Sequence, residues 1–173
     1  MIAIVSCSLN SDSNSRVLAL EAQRVLNEAG VPNVFIDMRE HPLPWCDGEA
    51  SYRDPRVAQI SAKLKAATGI LLAVPVYNYD SNAVSKNLIE MTGSAWENKV
   101  VGFICAAGGM SSFMSIMSFA NSLMLDFRSV VVPRFVYATG SAVENGKVAN
   151  ADVATRVADL ALFTAKLATA LAA

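Results

Sequence analysis

One histidine, His41, is all the imidazole that 173 residues offer, so a histidine-based metal centre or a Ser-His-Asp triad has little to be built from. The nucleophile elbow GxSxG is missing as well. Three cysteines (Cys7, Cys46, Cys105) make an odd, scattered set without a CxxC pair, which suits a reducing compartment and no metal. Charge of one sign is also lacking. Lys and Arg number 14 against 15 Asp and Glu, net −1, with no block of either. A nucleic-acid binder needs a basic face, and an acidic electron carrier needs the opposite. No apolar run is long enough to span a bilayer, because Asp152, Arg156, Asp159 and Lys166 interrupt the Ala-rich tail. The opening "MIAIVSCS" has no charged leader and too short an apolar stretch for a signal peptide. The expectation is a cytoplasmic protein that meets neither membrane nor nucleic acid.

What is present is alternation. "IAIV" (2–5), "VFI" (34–36), "ILLAV" (70–74), "VVGFICA" (100–106) and "VVVPRFVYA" (130–138) read as strands, three of them nearly all apolar, as strands covered on both faces should be. Between them apolar residues recur at steps of three and four. Leu18, Ala22, Val25 and Ala29 lead to Gly30. Asp54-Pro55 supplies an N-cap and a favoured first helical residue ahead of Val57, Ile60, Leu64 and Ala67. A third helix is predicted from Ser81 or Asn82 to Gly93, and the last carries Val153, Val157, Leu160, Thr164, Leu167 and Leu171. Strands that alternate with helices describe a doubly wound α/β sheet in one domain, residues 1–173. The stretch 39–53 is the one long irregular segment.

The helix predicted over 111–127 has more than one apolar stripe. Met110, Met114, Met117 and Met124 form one, and Phe113, Ile116, Ala120, Leu123 and Phe127 another. Packing on a sheet uses one face. The second implies association of like chains, a homodimer or homotetramer through helices 81–93 and 111–127, or else a wide core stripe with methionine filler.

Three loops follow strand ends, where open α/β sheets gather ligands. "SCSLNSDSNS" (6–15) holds five serines and two asparagines and opens a helix. A helix start is an anion site, and Ser8, Asn10, Ser13, Asn14 and Ser15 add neutral donors suited to a phosphate monoester. An ordinary capped turn would use only one or two of them. Neither GxxxxGK[ST] nor GxGxxG occurs. "PVYNYDSN" (75–82) places Tyr77 and Tyr79 around Asn78, which offers a planar partner and amides to a flat heterocycle. "AAGGMSS" (106–112) puts Gly108 and Gly109 before a helix start, where backbone can approach a ligand closely.

Together, in this order, the loops resemble those of the NAD(P)H-dependent FMN reductase family, a branch of the flavodoxin-like superfamily, and the likeness runs over nearly the whole chain. It implies a five-stranded parallel sheet in the order 2-1-3-4-5 with FMN at the switch between strands one and three. Ser8, Asn10, Ser13, Asn14 and Ser15 would hold the FMN phosphate. Pro75, Val76, Tyr77, Asn78 and Tyr79 would run along the isoalloxazine edge. Gly108, Gly109, Met110 and Ser111 would lie at the pyrimidine end, with a helix N-terminus stabilising the reduced anion. NADPH or NADH would deliver hydride to flavin N5, and a small-molecule acceptor would receive it. The flavin carries that chemistry, so no catalytic side chain is expected. This chain departs from the common pattern at Cys7 (often Gly), Asn10 (often Arg), Val76 (often acidic) and Asn82-Ala83 (often Pro-Gly).

A flavodoxin-type FMN carrier without a nicotinamide site is the alternative, disfavoured by the near-zero charge. A phosphoacceptor signalling domain needs an acidic cluster, and Asp37 stands alone at its strand end. Arg39, Arg53 and Arg134 are equal candidates for a 2′-phosphate contact. Trp45 and Tyr52 in segment 39–53 could cover the site or simply pack on the surface.

Overall fold

The computed structural model describes residues 1–172. Five strands run parallel: β1 (Ile2–Ser6), β2 (Asn33–Asp37), β3 (Gly69–Tyr77), β4 (Val100–Ala107) and β5 (Val136–Thr139). Their order is 2-1-3-4-5, with Ile4 beside both Phe35 and Leu71, and Ala73 beside Ile104. β1 and most of β3 and β4 are buried, as apolar strands covered on both faces must be.

The outermost strand corrects the reading of 130–138 as one piece. Val130–Val131 pairs with the start of β4, β5 pairs with its end, and the chain breaks between them. Pro133 has no N–H to donate, and Arg134 turns left-handed at φ 60°. A further hairpin, Val143–Glu144 against Lys147–Val148, turns at Asn145 (φ 49°) and Gly146 (φ 71°). The Asn-Gly pair is a strong hairpin signal, and it makes this turn.

Among the described residues five α-helices cover the sheet: α1 (Asn14–Glu28), α2 (Pro55–Ala66), α3 (Ala83–Thr92), α4 (Met117–Phe127) and α5 (Ala151–Leu171). Side-chain caps fix three starts: Ser13 accepts from Arg16 N–H, Asp54 from Arg56 N–H, and Asn150 from Val153 N–H. α1 and α5 build one core with Ile2, Ile4, Leu71 and Ile104. α2, α3 and α4 build the other with Val5, Leu72, Phe103 and Trp96. On the first face glycine permits close approach. A Cβ at Gly102 would meet Thr164 Oγ1 at 2.9 Å and Leu160 at 3.1 Å.

The helix predicted over 111–127 begins instead at Met117. Before it, Met110–Ser112 forms a 3₁₀ turn, and Ser115 and Met117 donate three residues back, to Ser112 and Met114. Two glycines and a run of serines resist α-helix nucleation, so this segment winds tighter. The two stripes separate only in part: Ile116, Ala120 and Leu123 are buried and Phe127 half-buried, but Phe113 of the same stripe is exposed, as are Met110, Met114, Met117 and Met124. No described helix is long and apolar enough to cross a membrane.

Candidate functional site

Strand order reverses between β1 and β3, and at that carboxyl edge lies a cleft of about 200 Å³ lined from four loops. The β1–α1 loop supplies Ser8, Asn10, Asp12, Ser13, Asn14 and Ser15. Its hydroxyls are organised rather than solvated. Ser8, Ser13 and Ser15 are buried, Ser13 and Ser15 share a hydrogen bond at 3.0 Å, and Ser8 Oγ accepts from Asn10 N–H. Asn10 Oδ1 in turn accepts from Asp12 N–H. The Asn14 and Ser15 amides open the helix and have no acceptor among the described hydrogen bonds. Arg16, next along, is committed elsewhere: its Nε donates to the buried Asp37 at 2.7 Å, which Arg39 also engages at 2.9 Å. Burial pushes the Asp37 carboxyl up, but hydrogen bonds from Arg39 and Arg16 outweigh it and hold the group below its usual value. The lone acid at this strand end is therefore one member of an ion triad.

Pro75, Val76 and Tyr77 bring the end of β3 to the cleft. Val76 and Tyr77 then pair back onto Ser81 and Asp80, closing a two-residue turn at Asn78 (φ 50°) and Tyr79 (φ 67°). Two positive φ angles define a type I′ turn, natural for Asn and costly for Tyr. It thrusts Tyr77 and Tyr79 into solvent. Asn82, buried behind the turn, donates from Nδ2 to the Cys7 carbonyl at 2.8 Å and so ties the second loop to the first. Neighbouring Cys7 is a fully buried thiol whose pKa burial drives upward, with Asp37 adding to the shift.

Ala106, Ala107 and Gly108 line the cleft from β4. A Cβ at Gly108 or Gly109 would meet no protein atom within 4 Å, so both face open space. Tyr137, rising from β5, donates its hydroxyl to the Gly109 carbonyl at 2.5 Å, and Phe113 packs on Tyr137 and Phe135. The expected helix start beside the pyrimidine end is not there, because a 3₁₀ turn occupies 110–112 and α4 starts at Met117.

Nine sequence-predicted residues thus share the cleft: Ser8, Asn10, Ser13, Asn14, Ser15, Pro75, Val76, Tyr77 and Gly108. Asn78, Tyr79, Gly109, Met110 and Ser111 lie outside its lining. Asp12, Ala106, Ala107 and Gly140 line it without having been singled out. The signal for Gly140 was its place just past the fifth strand; its Cβ position lies 3.9 Å from Asn14 Nδ2.

Segment 39–53 is irregular, with one 3₁₀ turn at Ala50–Arg53. Asn87 of α3 pins it by accepting from Cys46 N–H and donating to the Pro44 carbonyl. Trp45 lines a separate apolar cleft with Leu9 and Leu43, while Tyr52 is exposed near Cys46. Arg39 is paired, Arg53 is exposed, and Arg134 lines a different cleft from that of the serine loop.

The family model described as NADPH-dependent FMN reductase matches residues 1–144. The chain belongs to the NADPH-dependent FMN reductase family. Its relatives include an NADPH azoreductase from Bacillus sp. (strain OY1-2), 27% identical over 65% of this chain and 64% of that one. A probable NADPH:quinone oxidoreductase 2 from Oryza sativa subsp. japonica is 27% identical over 66% of this chain and 60% of that one. The match thus spans under two thirds of either relative's length. FerB, a flavoenzyme NAD(P)H:(acceptor) oxidoreductase from Paracoccus denitrificans, shares the fold at TM-score 0.79 and 17% identity, over 98% of this chain and 97% of its own. This FMN reductase family member has the strand order of the flavodoxin-like fold, with two small hairpin additions.

Proposed function

We propose that this family member is an FMN-dependent oxidoreductase that takes electrons from NADPH or NADH and passes them to a small-molecule acceptor, such as a flavin, quinone, azo or nitro compound, chromate or ferric complex. One observation carries the reading: buried neutral hydroxyls and unspent helix amides gathered at the switch between β1 and β3. FMN, when bound, would supply the two-electron chemistry between nicotinamide and acceptor. The protein's share is binding and orientation. The Asn14 and Ser15 amides, with Ser8, Asn10, Ser13 and Ser15, would hold the phosphate, and the α1 dipole favours its charge. Pro75, Val76 and Tyr77 form the wall for the ring, and the space beside Gly108 and Gly109 admits it to the backbone. No acid or base is demanded of the cleft, and its one carboxylate, Asp12, is exposed. Relatives named for azo and quinone reduction support acceptors of those classes.

Self-association through the exposed methionine face of α4 belongs to this reading. Met114, Met117, Met124 and Leu125 leave an apolar surface unpartnered within one chain. The exposed side of α3, by contrast, carries the Lys86–Glu90 ion pair. A cytoplasmic location fits three free cysteines.

Anaerobic titration of FMN-loaded protein with NADPH and NADH tests the proposal. A yellow protein bleached rapidly by one nucleotide supports it. Sluggish bleaching by both points to a flavodoxin-type carrier, and protein left colourless by excess FMN removes the reading altogether.

A further inference from the structure

The break in the outer strand makes a second cleft, of about 570 Å³, between that strand and α5. Its volume falls in the range of small-molecule sites. Val132 and Leu160, both buried, form the floor. Pro133 and Phe163 form an apolar rim, and Phe163 stands 47% exposed although no polar group on its ring requires solvent.

Two guanidinium groups, Arg134 and Arg156, share this cleft with one carboxylate, Asp159. None of the three joins an ion pair among the described residues. Arg156 is fixed at the strand edge by donating from Nη2 to the Phe135 carbonyl at 3.2 Å. Arg134 holds a left-handed backbone, φ 60°, that residues other than glycine and asparagine rarely adopt. Two cations against one anion leave a single positive charge inside an apolar rim. The cleft shares no lining residue with the one beneath the serine loop.

We propose that this cleft is a binding site for a small aromatic monoanion, a carboxylate or sulfonate. Its anionic group would be met by the Arg134 and Arg156 guanidiniums, which suit a planar carboxylate. Its ring would lie against Phe163 and Pro133. Asp159 makes the site disfavour dianions, which separates it from a phosphate cradle.

The test is calorimetric titration of FMN-saturated full-length protein with 2-naphthoate, and with neutral 2-naphthamide as control. One naphthoate should bind per chain and the amide far more weakly. R134Q/R156Q should weaken naphthoate at least about tenfold, F163A should weaken it several-fold, and D159N should strengthen it. All four positions are exposed, and FMN affinity should not change. Naphthoate binding that survives R134Q/R156Q undiminished overturns the proposal. So does displacement of naphthoate by FMN in cofactor-free protein. A changed sedimentation coefficient in R134Q/R156Q overturns it too, since the face would then join copies of the chain. Should the wild type bind no FMN, the same titration on the cofactor-free chain still decides this site.

Discussion

The Tyr137 hydroxyl donates to the Gly109 carbonyl at 2.5 Å, across the gap between β5 and the loop that leaves β4. That loop has little else to hold it. Its two glycines touch nothing through a Cβ, and Met110 and Ser111 are exposed. Replacing Tyr137 by Phe keeps the ring packed on Phe113 and removes only the bond. A loss of about 1 kcal/mol is expected. It should weaken FMN about fivefold in fluorescence titration and shift its reduction potential, with only a small change in melting temperature.

Asn14 separates the two demands on the β1–α1 loop. It is the first residue of α1 and lines the cleft. Asn14→Asp places a carboxylate at a helix N-terminus, which stabilises the fold by roughly 0.3–1 kcal/mol. The same charge repels a phosphate dianion. Urea denaturation should show equal or greater stability, and FMN titration an affinity lower by about tenfold or more.

Gly102 lies under α5, and a methyl group there would collide with Thr164, Leu160 and Leu71 at 2.9–3.1 Å. Gly102→Ala should cost about 1–3 kcal/mol through overpacking. Calorimetry should record a melting temperature lower by several degrees. FMN affinity should hold, because the clash is far down β4 from Ala106 and Gly108.

The Asp37 triad makes stability depend on acid. The folded carboxyl sits below its ordinary value, so its contribution is full above about pH 4 and is lost as pH falls through the lower folded value. Asp37→Asn should flatten the fall in urea midpoint between about pH 5 and pH 2. At neutral pH it should destabilise by about 1–3 kcal/mol, with Arg16 and Arg39 left unpartnered but near enough to solvent to rehydrate.

The central strands and the serine loop could be read in advance because their signals are local. Near-continuous apolar runs mark β1, β3 and β4, and the hydroxyl-rich stretch contains Ser13, the cap that starts α1. The start of α4 could not be read that way. Apolar spacing continues unbroken from Met110 to Phe127, while the backbone there is set by long-range anchors, Tyr137 on Gly109 and Phe135 on Phe113. Gly140 was hidden for a similar reason. Gly-Ser after a strand is ordinary turn chemistry, and only the pairing of Thr139 with Ala107 carries it to the cleft. Pro133 was the one visible hint of a broken strand.

That break also governs how the molecules can stick to one another. A sheet margin with continuous free amides and carbonyls invites another chain to anneal onto it and grow a fibril. Here the margin is two short steps with a proline and a left-handed arginine between them. On that flank, crowding at high concentration can proceed side chain to side chain, as the methionine face of α4 allows, but not by templated growth of the sheet.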